Sequence, residues 1–240
     1  MPVPKALLSR LASFNREESL LCNGDRVLAA VSGGADSVSL AHYLSRLVGQ
    51  KKIAVFVAHF HHGLRTAADR DAKFVHSLCE SLGLPFLMES LPVRKTAKQE
   101  RRSLEDAGRK LRYEALGRIA KDLHFNKVAT GHHLDDQAET VLLHILRGKS
   151  AKGLSGISPV RPLKKGSRVQ LIRPLLPLTR KEIEKYCASY GLKFKTDASN
   201  RSEEFTRNWV RRRVLPLLEK RQPGVRGNIA AIAKSVRDLL

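Results

Sequence analysis

The sequence predicts an α/β protein with an open, parallel five-stranded sheet and helices on both faces. Short apolar runs that indicate buried strands alternate with segments in which apolar residues recur at helical spacing. The first run, residues 27–31, passes through a Ser-Gly-Gly turn into a helical pattern, as ligand-binding α/β units do. The 240 residues are enough to bury the core of one such domain with a short appendage.

The elements are expected in a regular order along the chain. Residues 1–24 predict a helical arm, and strands are predicted at residues 27–31, 52–58, 86–88 and 127–130. Helices are predicted at residues 38–48, 66–82, after Ser103, 131–148 and 179–189, the last with Thr179 and Glu182 as a capping box. Residues 149–178 are rich in glycine, proline and lysine, and we expect them to form a mobile connection over the site.

The turn at residues 32–37 has the residue types of a phosphate-binding loop. Gly33 and Gly34 allow backbone conformations that let consecutive N–H groups converge on one oxyanion beside the positive end of a helix. Two serines add hydroxyl donors, and the turn has no lysine, unlike the GxxxxGK[ST] loop. The sequence therefore predicts that a nucleotide phosphate is bound by Ser32, Gly33, Gly34, Ala35, Asp36 and Ser37.

Asp36 is the residue of this turn that implies a metal ion. Its carboxylate would repel a phosphate unless a divalent cation lay between them, so we expect Mg²⁺ at Asp36. The competing interpretation is a glycine turn in which Asp36 and Ser37 only cap the following helix. Three polar side chains in this order, directly after an apolar strand, favour the phosphate.

Two carboxylates lie on one face of the helix predicted from residue 131. Asp136 and Glu139 are three residues apart, beside the stripe that faces the core, and the helix follows the carboxyl end of a strand. They can form a receptor for an ammonium group or a metal ion. Helix-dipole stabilisation explains acidic residues in a first turn equally well, and the pattern alone leaves both interpretations open.

A basic stripe is predicted on the helix after Ser103. Arg109, Arg112 and Tyr113 recur at three- and four-residue steps, which places two guanidinium groups beside an aromatic ring. A guanidinium can hold a carboxylate or a phosphate through two parallel hydrogen bonds. A solvated helix face is the alternative, and the pattern favours neither interpretation.

Composition indicates a polyanionic partner. The formal net charge is +21 and only 5% of the residues are aromatic, so phosphate contacts rather than base stacking should dominate nucleic-acid binding. A solvated basic surface that binds nothing acidic is the alternative. Three widely separated cysteines, with no long apolar segment and no secretory signal, predict a cytoplasmic protein that does not enter a membrane.

Several motifs resemble those of known enzymes. SGGADS at residues 32–37 resembles the SGGxDS signature of the ATP pyrophosphatases, and GHHLDDQAET at residues 131–140 is similar to the GHHxDDQxET segment of the tRNA(Ile)-lysidine synthetases. Further strings resemble the latter family in the same order: HFHHGLR at 59–65, RKLRY at 109–113, GLSGI at 153–157, RPLLPLTRKEI at 173–183, and DxSN with RNxxR from residue 197. The chain is therefore identified as similar to the tRNA(Ile)-lysidine synthetases.

The resemblance implies a two-step reaction. These enzymes ligate free L-lysine to C2 of the wobble cytidine, position 34, of an isoleucine tRNA with the anticodon CAU. The cytidine O2 attacks the α-phosphate of ATP and releases pyrophosphate, and the lysine amine then displaces AMP from the adenylated base. The resemblance thus implies that ATP and Mg²⁺ are needed and that the turn at residues 32–37 holds the pyrophosphate.

The resemblance also implies roles for individual side chains. Asp136 and Glu139 are expected to bind the lysine ammonium group. Arg112 is expected near the lysine carboxylate or the activated phosphate, and His133 is a candidate proton acceptor in the second step. With Asp36, Arg112 and His133 form the predicted catalytic set. The RNxxR residues expected to contact tRNA phosphates are Arg207, Asn208 and Arg211.

Domain organisation and rival functions complete the predictions. Residues 1–218 are expected to form a PP-loop ATP-binding catalytic domain with its helical arm, and residues 219–240 a C-terminal helix that begins a linker or a truncated tRNA-recognition region. The sequence leaves recognition of the tRNA body open, and a homodimer is one assembly that it allows. The rival functions are RNA thiolation, which needs a reactive cysteine near a motif, amide formation of the NAD synthetase kind, and a non-catalytic, nucleotide-gated RNA-binding module.

Overall fold

A six-stranded sheet lies at the centre of the structure, a computed structural model whose described residues are 5–61, 67–195 and 206–240. The strands are β1 (Arg26–Ala30), β2 (Ala54–His61), β3 (Phe86–Ser90), β4 (Lys127–Ala129), β5 (Val160–Pro162) and β6 (Gln170–Ile172). Their order is β3-β2-β1-β4-β6-β5, and every pair is parallel except β5 with β6. The predicted fold class is confirmed, but the sheet has six strands rather than the expected five.

Two of the six strands, β5 and β6, come from residues 149–178, the segment predicted to be a mobile connection. β5 and β6 form an antiparallel hairpin on the edge of the sheet next to β4, and Leu171 and Ile172 are buried there. Each strand is only three residues long, and Pro162 and Gln170 interrupt any apolar run. Strands of three residues are too short to show an alternating apolar pattern. The glycine, proline and lysine content of the segment therefore predicts a loop, whereas the structure has two edge strands there.

Helices cover both faces of the sheet. They are α1 (Lys5–Glu17), α2 (Ala35–Lys51), α3 (Ala67–Leu82), α4 (Val93–Glu100), α5 (Leu104–Asp122), α6 (Leu134–Leu146), α7 (Ala151–Leu154), α8 (Arg180–Ser189), α9 (Thr206–Trp209), α10 (Leu215–Arg221) and α11 (Val225–Asp238), with a π-helical stretch, Val210–Val214, between α9 and α10. The capping box of α8 is confirmed: Thr179 Oγ1 accepts from Glu182 N at 3.3 Å, and Glu182 Oε2 accepts from Thr179 N at 2.8 Å.

Alternate residues of β1 enter two different apolar cores. Val27 and Ala29 pack with α1, α2 and α8, whereas Leu28 packs with α4 and α5. Because successive side chains of a strand point to opposite faces, these two helix groups lie on opposite sides of the sheet. None of the helices in the described part of the chain is long and apolar enough to cross a membrane.

The C-terminal helices pack on α6. Val210 and Leu215 join Ala138 and Leu143 in a third buried cluster, and Ile229 of α11 packs against it. An ion pair between Arg237 Nη2 and Glu18 Oε1, at 2.8 Å, also connects α11 to the segment after α1. The domain boundary expected at residue 218 stays a prediction.

The sheet topology determines where a ligand can bind. From β1 the chain continues to β2 on one side, while β4 pairs with β1 on the other side. The order of the strands therefore reverses between β1 and β4, and parallel sheets bind ligands at such a switch point, beyond the carboxyl ends of the strands. The turn after β1 and the residues after β4 both lie there.

Candidate active site

The turn between β1 and α2 is organised by one of its own hydroxyl groups. Ser37 Oγ accepts hydrogen bonds from the backbone N–H of Ser32, at 3.2 Å, and of Gly33, at 3.0 Å, and donates to Gly34 O at 2.9 Å. Gly33 has a φ of +96°, a conformation that side chains disfavour. Two of the N–H groups expected to face an oxyanion are thus satisfied by Ser37. The first turn of α2, which has no side-chain cap in the described structure, supplies the donors that remain.

The residues after β4 press against this turn. A Cβ atom added to Gly131 would lie 3.1 Å from the carbonyl carbon and oxygen of Asp36. Glycine lets the backbone after β4 come this close to the start of α2 without pressing a side chain against it. The close approach brings His132, His133 and the first turn of α6 next to the phosphate-binding turn.

Asp36 lies between a guanidinium and an imidazole. Arg180 Nη1 donates to Asp36 Oδ2 at 2.7 Å, and His133 Nε2 lies 3.8 Å from Asp36 Oδ1. Burial raises the pKa of Asp36 above its usual value, although His133 and Arg180 act in the opposite direction. Asp36 Oδ1 is buried and has no hydrogen-bond partner within the described residues.

The unpartnered oxygen of Asp36 allows a test of whether the residues at this turn fit a magnesium ion. No group of three or more His, Cys, Asp and Glu side chains in residues 5–61, 67–195 and 206–240 is arranged to hold a metal ion. Mg²⁺ at nucleotide sites commonly takes one or two carboxylates and completes its shell with phosphate oxygens and water. A single carboxylate with a free oxygen at the end of a phosphate-binding turn fits that donor set.

His133 is buried among three carboxylates. Its Nε2 atom lies 3.4 Å from Asp136 Oδ2, its Nδ1 atom lies 3.6 Å from Asp135 Oδ2, and its backbone N–H donates to Asp136 Oδ2 at 3.1 Å. Burial alone would lower the pKa of His133, but Asp135, Asp136 and Asp36 together raise it. The side chain expected to accept a proton is therefore placed between the turn and α6.

The acid pair of α6 binds two guanidinium groups from the C-terminal segment. Glu139, which is fully buried, accepts from Arg207 Nε at 2.9 Å and from Arg211 Nε at 2.6 Å. Both arginines also reach Asp136 Oδ1, at 3.2 Å and 3.3 Å. Asp136 and Glu139 therefore share one face, and that face contacts guanidinium groups of the chain itself; the predicted receptor for an ammonium group stays a prediction. Arg211 belongs to the π-helical stretch, a form that often marks functional sites.

Asp135 ties two other elements to the start of α6. It accepts from the backbone N–H of Arg180 at 2.8 Å and pairs with Arg226 Nη1 of α11 at 2.6 Å. Burial would raise the pKa of Asp135, but His133, Arg180 and Arg226 lower it to about 2. The carboxylate thus stays ionised and joins α8 and α11 to the site.

Arg112 does not join this network. Within the described residues it makes no hydrogen bond or ion pair, and its titratable neighbours on α5 include Arg109, Tyr113 and Glu105. Burial, with repulsion from Arg109, lowers its pKa, and Tyr113 and Glu105 act in the opposite direction. The structure therefore brings Asp36, His133, Asp136 and Glu139 together but shows no contact between Arg112 and the acid pair.

Some functional candidates were missed and some predictions lie outside the described residues. Arg180 and Arg226, which pair with Asp36 and Asp135, were not singled out, although Arg180 belongs to the RPLLPLTRKEI string. Arg207 and Arg211 contact carboxylates, and their predicted contact with tRNA stays a prediction, as does that of Asn208. Most of the HFHHGLR string and all of the DxSN string lie outside the described residues.

This fold and this site are those of a PP-loop protein. A PP-loop domain matches residues 7–218, and the chain belongs to that family. The chain is similar to the tRNA(Ile)-lysidine synthase of Geobacter sulfurreducens, at 41% identity over 97% of this chain and 48% of the relative, and to that of Clostridioides difficile, at 39% identity over 89% and 45%. The resemblance found in the motifs is thus confirmed, and the chain spans about half the length of these relatives.

Solved structures show the same fold. The U34-tRNA thiolase NcsA from Methanococcus maripaludis matches with a TM-score of 0.81 and 19% identity, over 99% of this chain and 82% of that one. The NH3-dependent NAD synthetase from Campylobacter jejuni matches with a TM-score of 0.54 and 15% identity, over 96% and 92%. At these identities the likeness shows the fold alone.

Proposed function

We propose that the chain catalyses ATP-dependent ligation of L-lysine to C2 of the wobble cytidine, position 34, of an isoleucine tRNA with the anticodon CAU. The reaction forms lysidine and releases pyrophosphate and AMP. The substrates are taken from the relatives that are named tRNA(Ile)-lysidine synthase. The single observation that carries the proposal is an acid pair that binds guanidinium groups, Asp136 with Glu139, beside a phosphate-binding turn.

The turn and the start of α2 bind ATP in this proposal. The free N–H groups of the first turn of α2 point toward the phosphates, and the hydroxyl groups of Ser32 and Ser37 keep the turn in shape. Magnesium bound at Asp36 would neutralise negative charge on the departing pyrophosphate. Arg180, which already pairs with Asp36, adds a second positive charge at the same place.

The acid pair receives the amine of lysine. An ammonium group is a smaller cation than a guanidinium, and it can take the positions that Arg207 and Arg211 occupy on Glu139 and Asp136. The lysine amine would then lie next to His133, which is within 3.4 Å of Asp136 and 3.8 Å of Asp36. Loss of a proton from the ammonium group frees the lone pair that attacks C2 as the bond to AMP breaks, and we assign His133 to accept that proton. Arg112 is assigned to the lysine carboxylate or the activated phosphate.

The cysteines argue against the thiolation alternative. Cys79 and Cys187 are buried, and the exposed Cys22 precedes β1, at the opposite end of this strand from the turn. Burial raises the pKa of both buried thiols, which disfavours the reactive thiolate. Cys187 Sγ lies 3.8 Å from the carbonyl oxygen of Ala35 in the turn, but this thiol is fully buried, and its raised pKa disfavours the thiolate that would carry sulfur to a base.

The proposal is tested by following AMP and the modified base together. Purified protein is incubated with ATP, Mg²⁺ and a CAU-anticodon isoleucine tRNA, with and without L-lysine, and the digested tRNA is analysed by mass spectrometry. We expect AMP and lysidine to form in equal amounts and only when both tRNA and L-lysine are present. AMP formation without lysine, or RNA binding without any AMP, contradicts the proposal and supports another activity. Because ATP and tRNA occur there, we place the reaction in the cytoplasm.

A further inference from the structure

Three arginines lie around the side chain of Tyr113. The guanidinium carbons of Arg109 and Arg161 lie 5.3 Å and 5.9 Å from the centre of the Tyr113 ring. Arg173 also interacts with Tyr113, and its neighbours include the other two arginines. We call Arg109, Arg161 and Arg173 the Tyr113 arginine cluster. They come from α5, β5 and the residue after β6, so residues far apart in sequence converge here.

The charges of this cluster are not balanced. None of its three arginines lies within 4.0 Å of a carboxylate in the described part of the protein, whereas Arg207, Arg211 and Arg226 all do. Arg173 is only 4% exposed, its Nη1 donates to the carbonyl of Ser158, and its Nε has no partner there. Buried charges in proteins are normally paired, so this arrangement lacks an anion.

Electrostatics agree with the geometry. Burial and repulsion from Arg161 and Arg109 lower the pKa of Arg173 to about 10, although Tyr113 acts in the opposite direction. The pKa of His132 falls to about 3, mainly because of burial and partly because of Arg173 and Arg109, against the effect of Asp136. His132 directly precedes His133, and its Nδ1 lies 2.9 Å from Thr130 Oγ1. Thr130 N–H also donates to the carbonyl of Ile172 at 3.1 Å, so Arg173, the residue after Ile172, lies beside the segment that leads from β4 to His132 and His133.

We propose that the Tyr113 arginine cluster binds a backbone phosphate of the RNA next to the nucleotide that is modified. This inference rests on the proposed function and adds a subsite to it. A guanidinium matches a phosphodiester through two parallel hydrogen bonds, and such contacts position the nucleic acid without reading its sequence. The anion would supply the counter-charge that the described chain lacks.

The surroundings favour an RNA backbone over the lysine carboxylate. A groove of about 440 Å³ begins at Tyr113 and runs between α5 and the β5–β6 hairpin. Lys121 and Lys164 line it, together with two carboxylates, Glu114 and Asp122, and with Arg118, which is paired with Glu89. A free amino acid needs no such extension, whereas a polynucleotide continues on both sides of the bound phosphate. Cations outside the cluster thus extend the path that a phosphate chain would follow.

The test compares RNA binding with lysine use in two variants. Arg161→Gln and Arg109→Gln each remove one positive charge from the cluster. Arg161 also donates to two carbonyl groups of the hairpin, so its replacement can affect folding. Arg109 is exposed, and we expect the protein to tolerate its replacement. The probe is the anticodon stem-loop RNA of the isoleucine tRNA, labelled for fluorescence anisotropy and titrated over a range of salt concentrations. We expect each variant to bind roughly tenfold more weakly and its salt slope to fall by about 1, with an unchanged KM for L-lysine.

A matched control separates the cluster from the general field. Arg16→Gln removes the same charge from α1, on the opposite face of the sheet, and should change the affinity for RNA less than about twofold. Unchanged RNA affinity and salt slope in both cluster variants overturn the inference. A raised KM for L-lysine with normal RNA binding also overturns it and assigns the cluster to the amino-acid carboxylate. If the unmodified protein makes lysidine while the variants bind RNA normally, only this inference fails and the proposed function stands.

Discussion

Replacing Arg211 with glutamine tests the central contact of the site, in which the chain's own guanidinium groups occupy the acid pair. Arg211 donates to Glu139 at 2.6 Å and 3.0 Å, and its Nη2 lies 3.3 Å from Asp136 Oδ1. A hydrogen bond between charged groups contributes roughly 1.5–3 kcal/mol, and breaking a buried pair costs about 3–5 kcal/mol. Glu139 keeps Arg207, and Arg211 is 37% exposed, so both effects are reduced. We expect the free energy of unfolding to fall by about 2 kcal/mol.

The same substitution should strengthen the binding of lysine. Under the proposed function, the ammonium group of lysine must displace a guanidinium that is tethered beside Glu139 and is therefore always at high local concentration. Removing a competitor worth about 1.4 kcal/mol changes affinity tenfold. We expect the KM for L-lysine to fall by up to about tenfold in Arg211→Gln. Stability and substrate affinity should thus change in opposite directions.

Two measurements on one set of proteins decide the matter. Urea unfolding gives the free energy of unfolding, and AMP formation at saturating ATP and tRNA gives the KM for L-lysine. Lys220→Gln is the matched control, because it removes the same charge from the exposed side of α10 and should change stability by less than about 0.5 kcal/mol. A higher KM for L-lysine in Arg211→Gln would refute the competition argument. So would weaker tRNA binding with an unchanged KM, which would assign Arg211 to the RNA.

The remaining predictions concern the turn and the core. Asp36→Ala should abolish AMP formation while the protein still folds, because the only free carboxylate oxygen at the turn is lost; residual AMP formation would place the metal elsewhere. Gly131→Ala should lower the free energy of unfolding by about 1–3 kcal/mol and raise the KM for ATP, because the added Cβ would lie 3.1 Å from the backbone of Asp36. An unchanged KM for ATP would show that ATP binding does not need this close approach. Burial, with Arg46, lowers the pKa of His42 from 6.5 to about 4 in the folded protein. Between pH 6.5 and pH 4 the unfolded state therefore binds more protons than the folded state. The free energy of unfolding should decrease as the pH falls through this range. Urea unfolding of His42→Gln across this range should show a smaller decrease than the unmodified protein, and equal pH dependence would contradict the assignment.

Features that depend on neighbouring residues could be predicted from the sequence. The Ser37 hydroxyl contacts residues only three to five positions away, and the capping box joins Thr179 to Glu182 within one helical turn. Asp136 and Glu139 share a face because they are three residues apart on α6. In each case one helix or one turn fixes the geometry, so spacing alone is sufficient information.

Partners that lie far apart in sequence could not be predicted. Arg211 is 72 residues from Glu139, and Arg180 is 144 residues from Asp36. Helical spacing correctly placed Arg207 and Arg211 on one face, but it carries no information on what that face contacts. The motif suggested RNA phosphate, whereas tertiary packing of the C-terminal helices on α6 brought these side chains to buried carboxylates.

The structure divides the arginines into two classes that a net charge of +21 cannot distinguish. Arg207, Arg211 and Arg226 are neutralised by the carboxylates of α6, so they add little to the field that an approaching polyanion experiences. The Tyr113 arginine cluster has no such partners in the described chain, and its field extends outward. The unpaired positive charge of these two groups therefore lies on the α5 and β5 side, whereas the charges on the α6 side are paired with one another. Under the proposed function, the negatively charged RNA would meet the unpaired arginines and the positively charged amine would meet the carboxylates of α6, so that each substrate approaches groups of opposite charge.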